Sequence, residues 1–182
     1  HQRHHRRLTH RPVELDLAAI HERLASELED RPCLVWRDRS WSWREVTERS
    51  RRLANVLVDH GIGRHGDLAS CAGWESPHDH VGLYLHNGNA YLEGQLGAAK
   101  AGAAAFNVNY RYVADELAYL FLDAGARVIV YQGCFAETLA SVLPRLERAP
   151  LLLRVDDGSG DDLLPGALDY EAALAAASPA PP

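Results

Sequence analysis

The stretch VGLYLHNGNAYLEGQLGAAKAGAAAF, Val81 to Phe106, reads as one β-α-β unit. Val81 to Leu85 is a short apolar run, Asn89 to Ala101 carries a helical period, and Ala103 to Phe106 is apolar again. Two such runs joined through a helix need a crossover, and a crossover makes the strands parallel. The alternation continues downstream. Ala114 to Ala124 reads as a helix, Arg127 to Tyr131 as a strand, Phe135 to Leu146 as a helix and Leu151 to Val155 as a strand. Gly102 and Gly125 stand where helix C-caps belong, and Val128-Ile129-Val130 is as apolar as a strand covered on both faces. The fold class predicted is α/β, a partial doubly wound parallel sheet of βαβαβαβ order. Beyond it, Asp156 to Gly166 is a Gly/Asp/Ser/Pro loop, Asp169 to Ala177 a short helix, and Pro179 to Pro182 linker-like.

Upstream of the unit, Leu17, Ile20, Leu24 and Leu28 recur at helical spacing behind Asp16, a residue type that caps helix N-termini. This predicts an amphipathic helix that buries the leucine stripe and ends before Pro32. Cys33 to Trp36, the polar reversal Arg37 to Ser40, and Trp41-Ser42-Trp43 read as a hairpin. Ser42 and Glu45 fit a capping box, and the helix they open runs to Gly61 as its C′ residue. Val46, Leu53 and Leu57 form its buried stripe. Glu45 with Arg49 and Glu48 with Arg52 stand four apart, which places its arginines on a solvated, salt-laced face.

At 182 residues, 47% hydrophobic and 24% charged, the chain is long enough for a core and has ordinary globular composition. No apolar run reaches the roughly eighteen residues of a membrane-spanning helix. Cys33, Cys71 and Cys134 are an odd, widely spaced set without a C-x-x-C pair, as expected of thiols in a reducing cytoplasm. The net charge of −6 is uneven: His1 to Pro12 carries four arginines, four histidines and no acid, and without those arginines 15 basic residues face 25 acidic ones. So acidic a body disfavours nucleic acid. Residues 1–13 are expected to be a disordered basic leader, and the absence of methionine suggests that the natural start is missing.

Several motifs invite chemistry. Gly61-Ile62-Gly63-Arg64-His65-Gly66 matches G-x-G-x-x-G, yet it follows a helix and precedes a strand, the reverse of a dinucleotide fingerprint. It reads as a C-cap and turn. Asp157-Gly158-Ser159-Gly160-Asp161 begins like a calcium loop, but the sixth and twelfth positions are Asp162 and Leu168 where glycine and glutamate are needed. His78, Asp79 and His80 near Cys71 lack a second ligand pair at metal-site spacing. No G-x-S-x-G elbow exists, and the single lysine, Lys100, ends a helix whose dipole it complements, so no P-loop is encoded. Gly94 and Gly97 inside that helix imply close approach to a neighbour. These readings leave no catalytic, cofactor-binding or metal residue in the chain.

Trp41-Ser42-Trp43-Arg44-Glu45-Val46, Val81 to Asn87, Lys100-Ala101-Gly102, and Asn107 to Tyr112 followed by Glu116-Leu117 occur in a recognisable order. Over Leu17 to Pro179 the chain resembles the N-terminal part of the adenylate-forming acyl-CoA synthetases, in particular bacterial fatty-acyl and steroid side-chain CoA ligases. The stretch Leu68 to His80 departs from that pattern as an insertion. The resemblance implies a two-step ligase in which a carboxylate attacks the α-phosphate of ATP and CoA then displaces AMP. It implies ATP, Mg²⁺ and CoA for the full-length enzyme, a fatty or other carboxylic acid as substrate, and a cytoplasmic location. It also implies that the phosphate loop, the metal carboxylate and the catalytic lysine lie beyond Pro182. Residues 14–178 would then be the N-terminal segment of the synthetase domain, 179–182 a truncated linker, and the fragment inert alone.

Two other readings remain open at this stage. One is a stand-alone doubly wound domain that binds a nucleotide or regulates, with His86-Asn87-Gly88-Asn89 as an anion nest. The other is a non-catalytic protein that binds a partner through exposed apolar surface.

Overall fold

In the computed structural model, which describes residues 16–160 and 163–182, the βα alternation closes into a three-layer sandwich. The basic leader and Asp161 lie outside the described residues. Helix α1 (Leu17–Leu28) leads into a hairpin, β1 (Pro32–Trp36) and β2 (Arg39–Ser42), and then into α2 (Trp43–Asp59). After a loop come β3 (His80–Tyr84), α3 (Asn89–Lys100), β4 (Ala104–Asn107), α4 (Ala114–Asp123), β5 (Ala126–Gln132) and α5 (Ala136–Val142). The chain ends with β6 (Leu151–Val155), β7 (Leu168–Asp169) and α6 (Tyr170–Ala176). The sheet order is β4-β3-β5-β6-β7 and every pair is parallel.

Strand periodicity sorts the core. Val81, Leu83, Val128, Val130 and Leu153 face one side, where they pack with Leu53 and Leu57 of α2, Ala98 of α3 and Tyr170 of α6. Tyr84, Ile129, Tyr131 and Leu152 face the other, under Leu117 and Phe121 of α4 and Leu139 of α5. Consecutive residues of one strand thus feed opposite cores, and the sheet needs a helical layer on each face.

Local signals act as their chemistry demands. Asp16 accepts from Ala19 N at 2.7 Å, and Ser42 and Glu45 form the reciprocal capping box at the start of α2. Gly61, Gly102 and Gly125 take positive φ just after helices, at 71°, 73° and 56°. The glycines of α3 allow close approach. A Cβ at Gly97 would sit 2.7 to 3.0 Å from three atoms of Leu53, its Cβ included, and one at Gly94 would sit 2.6 Å from a terminal methyl of Leu83.

Three expectations need correction. Leu17, Ile20 and Leu24 face solvent, and α1 instead buries His21 and Ala25. The rotation follows from charge: Glu22 pairs with Lys100 Nζ at 2.5 Å and with Arg51, which turns that edge of α1 inward. Lys100 therefore does more than complement a dipole, since its side chain is 3% exposed and holds α1 to α3. Second, the α2 arginines are not a solvated face. Glu48 does pair with Arg52 at 2.9 Å, but Glu45 is spent on the capping box and Arg49 reaches Glu93 and Glu171 instead. Third, the segment predicted as one helix from Phe135 to Leu146 is α5 between two 3₁₀ turns, Gly133–Phe135 and Leu143–Arg145, with Pro144 in the second. The structure also adds β7, whose two residues are too short to show a period.

Two predictions follow from this packing. Ala in place of a mid-helix glycine gains about 1 kcal/mol of propensity, whereas overpacking costs about 1–3 kcal/mol. At Gly97 the obstacle is Leu53 up to its Cβ, so Gly97→Ala lowers the urea midpoint; at Gly94 a single methyl can turn aside, so Gly94→Ala lowers it less. His21 is the second case. Burial, with Lys100 nearby, pulls its imidazole from 6.5 to about 4, and neither ring nitrogen has a hydrogen-bond partner. A base depressed on folding stabilises fully above its unfolded value and loses that contribution as pH falls toward the folded one. Burial opposes ionisation of Glu22, but Arg51 and Lys100 hold it at about 2, so it stays charged across that window. Stability measured by urea at pH 7 and pH 5 should fall by up to about 1.4 kcal/mol per pH unit below 6.5, and His21→Leu should flatten the dependence.

Candidate functional site at the carboxyl ends of the strands

The connection after β3 runs through α3 on the α2 face, and the connection after β5 runs through α5 on the opposite face. The chain therefore leaves two neighbouring strands in opposite directions, which opens a crevice beyond their carboxyl ends. A cavity of about 770 Å³ occupies that place. His86-Asn87-Gly88-Asn89, singled out in the sequence as a nest, forms one wall, and Gln132 with the loop Asp156–Ser159 forms another. The hairpin tip closes the third side, where Arg37 stacks on Trp36 and Arg39 on Trp41, with guanidinium carbons 5.4 and 4.7 Å from the ring centroids.

The walls are held by side chains that reach between strand ends. Gln132 Oε1 accepts from His86 N at 2.5 Å, which joins the ends of β3 and β5. The His86 ring lies 4.5 Å from Tyr110 and 4.9 Å from Phe135, and Tyr84 stacks on Phe135 at 4.5 Å. On the far side of His86 a second cavity of about 480 Å³ is lined by Tyr91, Asn107, Tyr110 and Tyr112. Asp157 accepts from Cys134 N and Ser159 N, both at 3.1 Å, tying the β6 loop to the start of α5. Burial works against its charge, but hydrogen bonds from the side chains and backbone amides of Cys134 and Ser159 hold its carboxyl far below the usual carboxylate range.

Asn89, at the lip, donates to Glu93 Oε1 at 3.0 Å. Glu93 is wholly buried and also accepts from Arg49, at 2.7 and 3.1 Å, and from the Tyr170 hydroxyl at 2.7 Å. Burial beside that carboxylate pushes the Tyr170 phenol well above its ordinary value, so it serves as a donor. The cleft is thus a preformed strand-end crevice with backbone and amide groups on its walls.

The calcium-like start Asp157-Gly158-Ser159 is part of the cleft wall, and the other sequence motifs are accounted for elsewhere in the fold. Gly61 to Gly66 is the C-cap and turn after α2, with Gly63 N donating to Asp79 Oδ2 at 3.0 Å. Asp79 also accepts from His65 at 2.6 Å and Arg127 at 3.1 Å, while His78 and His80 donate through Nδ1 to carbonyls that end α3 and α4, Gly102 at 2.7 Å and Ala124 at 2.5 Å. Those groups serve the amino ends of the strands, opposite the cleft. Among the described residues no three His, Cys, Asp or Glu side chains gather to hold a metal ion, and no helix is long and apolar enough to cross a membrane. The 68–80 stretch folds as a 3₁₀ turn, Leu68–Ser70, followed by a loop that bridges back at Arg64 and His78 and leaves Trp74 89% exposed. The roles of the hairpin tip and the Asp156–Ser159 loop at the cleft were missed in the sequence. The switch in connection direction was the signal that pointed to them.

The chain matches the AMP-binding enzymes over residues 21–181. It is 44% identical over 164 residues to the medium-chain acyl-CoA ligase Mig of Mycobacterium avium, covering 90% of this chain and 30% of that ligase. It is 33% identical over 168 residues to a medium/long-chain-fatty-acid–CoA/3-oxocholest-4-en-26-oate–CoA ligase of Mycobacterium marinum, covering 92% of this chain and 28% of the relative. The chain therefore spans less than a third of the length of these relatives. Among solved structures, a benzoate CoA ligase from Burkholderia xenovorans superposes with a TM-score of 0.73 at 20% identity, over 91% of this chain and 29% of that one. A Brucella canis acyl-CoA synthetase gives 0.71 at 24%, over 90% and 28%. Both share the fold, the N-terminal subdomain of adenylate-forming CoA ligases.

Asp157 offers a direct test of how the cleft is held. Asp157→Ala removes the acceptor of the Cys134 and Ser159 backbone amides, exposed hydrogen bonds of about 0.5–1.5 kcal/mol each. Hydrogen exchange at Cys134 and Ser159 should accelerate while the β5 amides Val128 to Val130 stay protected.

Proposed function

We propose that this chain, which belongs to the AMP-binding enzyme family, is the N-terminal segment of an AMP-forming acyl-CoA ligase that activates medium- or long-chain fatty acids. The observation that carries this reading is the 44% identity over 164 residues to a medium-chain acyl-CoA ligase. The whole enzyme would join a carboxylic acid to ATP, releasing pyrophosphate, and then transfer the acyl group from AMP to the thiol of CoA. ATP, Mg²⁺ and CoA are its cofactors and co-substrates. Triphosphate chemistry needs donors and a cation placed on the phosphates. Within this chain, the strand-end crevice offers walls and backbone groups but no lysine, since Lys100 is buried against Glu22, and no carboxylate cluster for a metal among the described residues. Residues 14–178 thus act as scaffold and cleft wall, 179–182 lead toward the remainder, and the 182-residue chain is inert by itself.

The test has two arms. The 182-residue chain, supplied with octanoate, ATP, Mg²⁺ and CoA, should form neither pyrophosphate nor octanoyl-CoA. A chimera that carries this chain in place of the matching segment of the Mycobacterium avium ligase should form both. Turnover by the short chain, or a folded chimera without activity on any fatty acid from eight to eighteen carbons, would overturn the proposal.

A further inference from the structure

Arg49, Arg52 and Asn55 follow one another at intervals of three along α2, and each reaches a residue more than a hundred positions later. Arg49 Nη2 and Nη1 donate to the Glu171 carboxylate at 2.6 and 2.9 Å. Arg52 Nη1 donates to the carbonyls of Ala177 at 2.6 Å, Leu174 at 3.3 Å and Ala175 at 3.5 Å, and its guanidinium is steadied by Glu48 at 2.9 and 3.0 Å. Asn55 Nδ2 donates to the carbonyls of Ser178 at 2.9 Å and Ala180 at 2.8 Å.

The Ala175 carbonyl is one that a helix end leaves without an intrahelical partner, the Leu174 carbonyl also accepts from Ala177 N at 3.2 Å, and the carbonyls of Ala177, Ser178 and Ala180 belong to the chain beyond α6. Helix α6 has only seven residues and no basic side chain in its last turn. Its apolar anchor ends at Leu174, 2% exposed, with partial burial of Ala177; the side chains of Ser178, Pro179 and Ala180 are exposed. Side chains this exposed give the chain beyond Ala177 little packing reason to follow α2. It follows α2 because two donors hold its backbone.

We propose that Arg52 and Asn55 are positioning residues that clamp the chain leaving α6 onto α2 and so fix the point from which the next element of the longer enzyme enters. The consequence for activity rests on the ligase reading; the clamp itself does not. The acceptors are carbonyl oxygens, so the clamp needs a donor of the right reach at position 52.

Backbone ¹⁵N relaxation of the 182-residue chain tests the clamp directly. The Ser178 and Ala180 amides should show order parameters near the rigid value of about 0.85, falling below about 0.6 in Arg52→Ala/Asn55→Ala while Val128 to Val130 stay unchanged. Arg52→Lys, which keeps a donor, should restore most of the order and serves if the double variant does not fold. Mobile amides in the unsubstituted chain, or rigid ones in a folded variant lacking both donors, would sink the idea. In the chimera the same pair of substitutions should lower kcat/KM for ATP about tenfold, as misplaced elements do, without lowering the melting temperature to match. An active chimera indifferent to them overturns the positioning role. A chimera that is inactive before these substitutions counts against the ligase reading, and the relaxation data then decide the clamp alone.

Discussion

A carboxylate with no exposure to water must be neutralised where it stands, and Glu93 sets that requirement at the centre of one helical layer. Arg49 from α2, Tyr170 from α6 and Asn89 from its own helix meet it. Remove Arg49 and a buried charge is left uncompensated, at a cost of about 3–5 kcal/mol. The pair also dictates arrangement, because α2 and α6 must both lie against α3 for the carboxylate to be satisfied. The small residues of α3 allow that approach: Gly97 sits against Leu53 with no room for a methyl group.

From this cluster the ties run in two directions. Asn89 carries them to the lip of the cleft, where α3 begins, and Glu171 carries them through Arg49 to α6. The cleft wall and the exit of the chain are therefore fastened to the same helix, α2, by charge-assisted bonds that are partly shielded from water. At the opposite end of the sheet Asp79 does related work, joining the turn after α2 to β3 and to Arg127. Both ends of the sheet are braced by polar groups, while the middle is held by apolar packing.

The parallel sheet was legible in the sequence because Val81 to Leu85 and Val128 to Tyr131 carry no charged residue on either face, a pattern that few other structures accept. Caps were legible for the same kind of reason, since Ser42, Glu45, Gly61 and Gly102 act within four residues. What could not be read was long range. The leucine stripe of α1 obeys helical spacing, yet its rotation is decided by Lys100 and Arg51, far along the chain. Arg49 has a plausible partner four residues back and takes two others more than forty residues on. The cleft was half legible: its nest follows β3 directly, but Trp36 and Asp157 arrive only once the sheet is ordered.

The burial of Lys100 has a practical side. It is the chain's single lysine and its side chain is 3% exposed. Among the described residues, a folded molecule offers amine-directed acylating or cross-linking reagents little to attack. Loss of the α1–α3 contact would uncover the Lys100 amine, so its labelling in a brief acylation pulse reports local opening of that helix pair without any engineered probe.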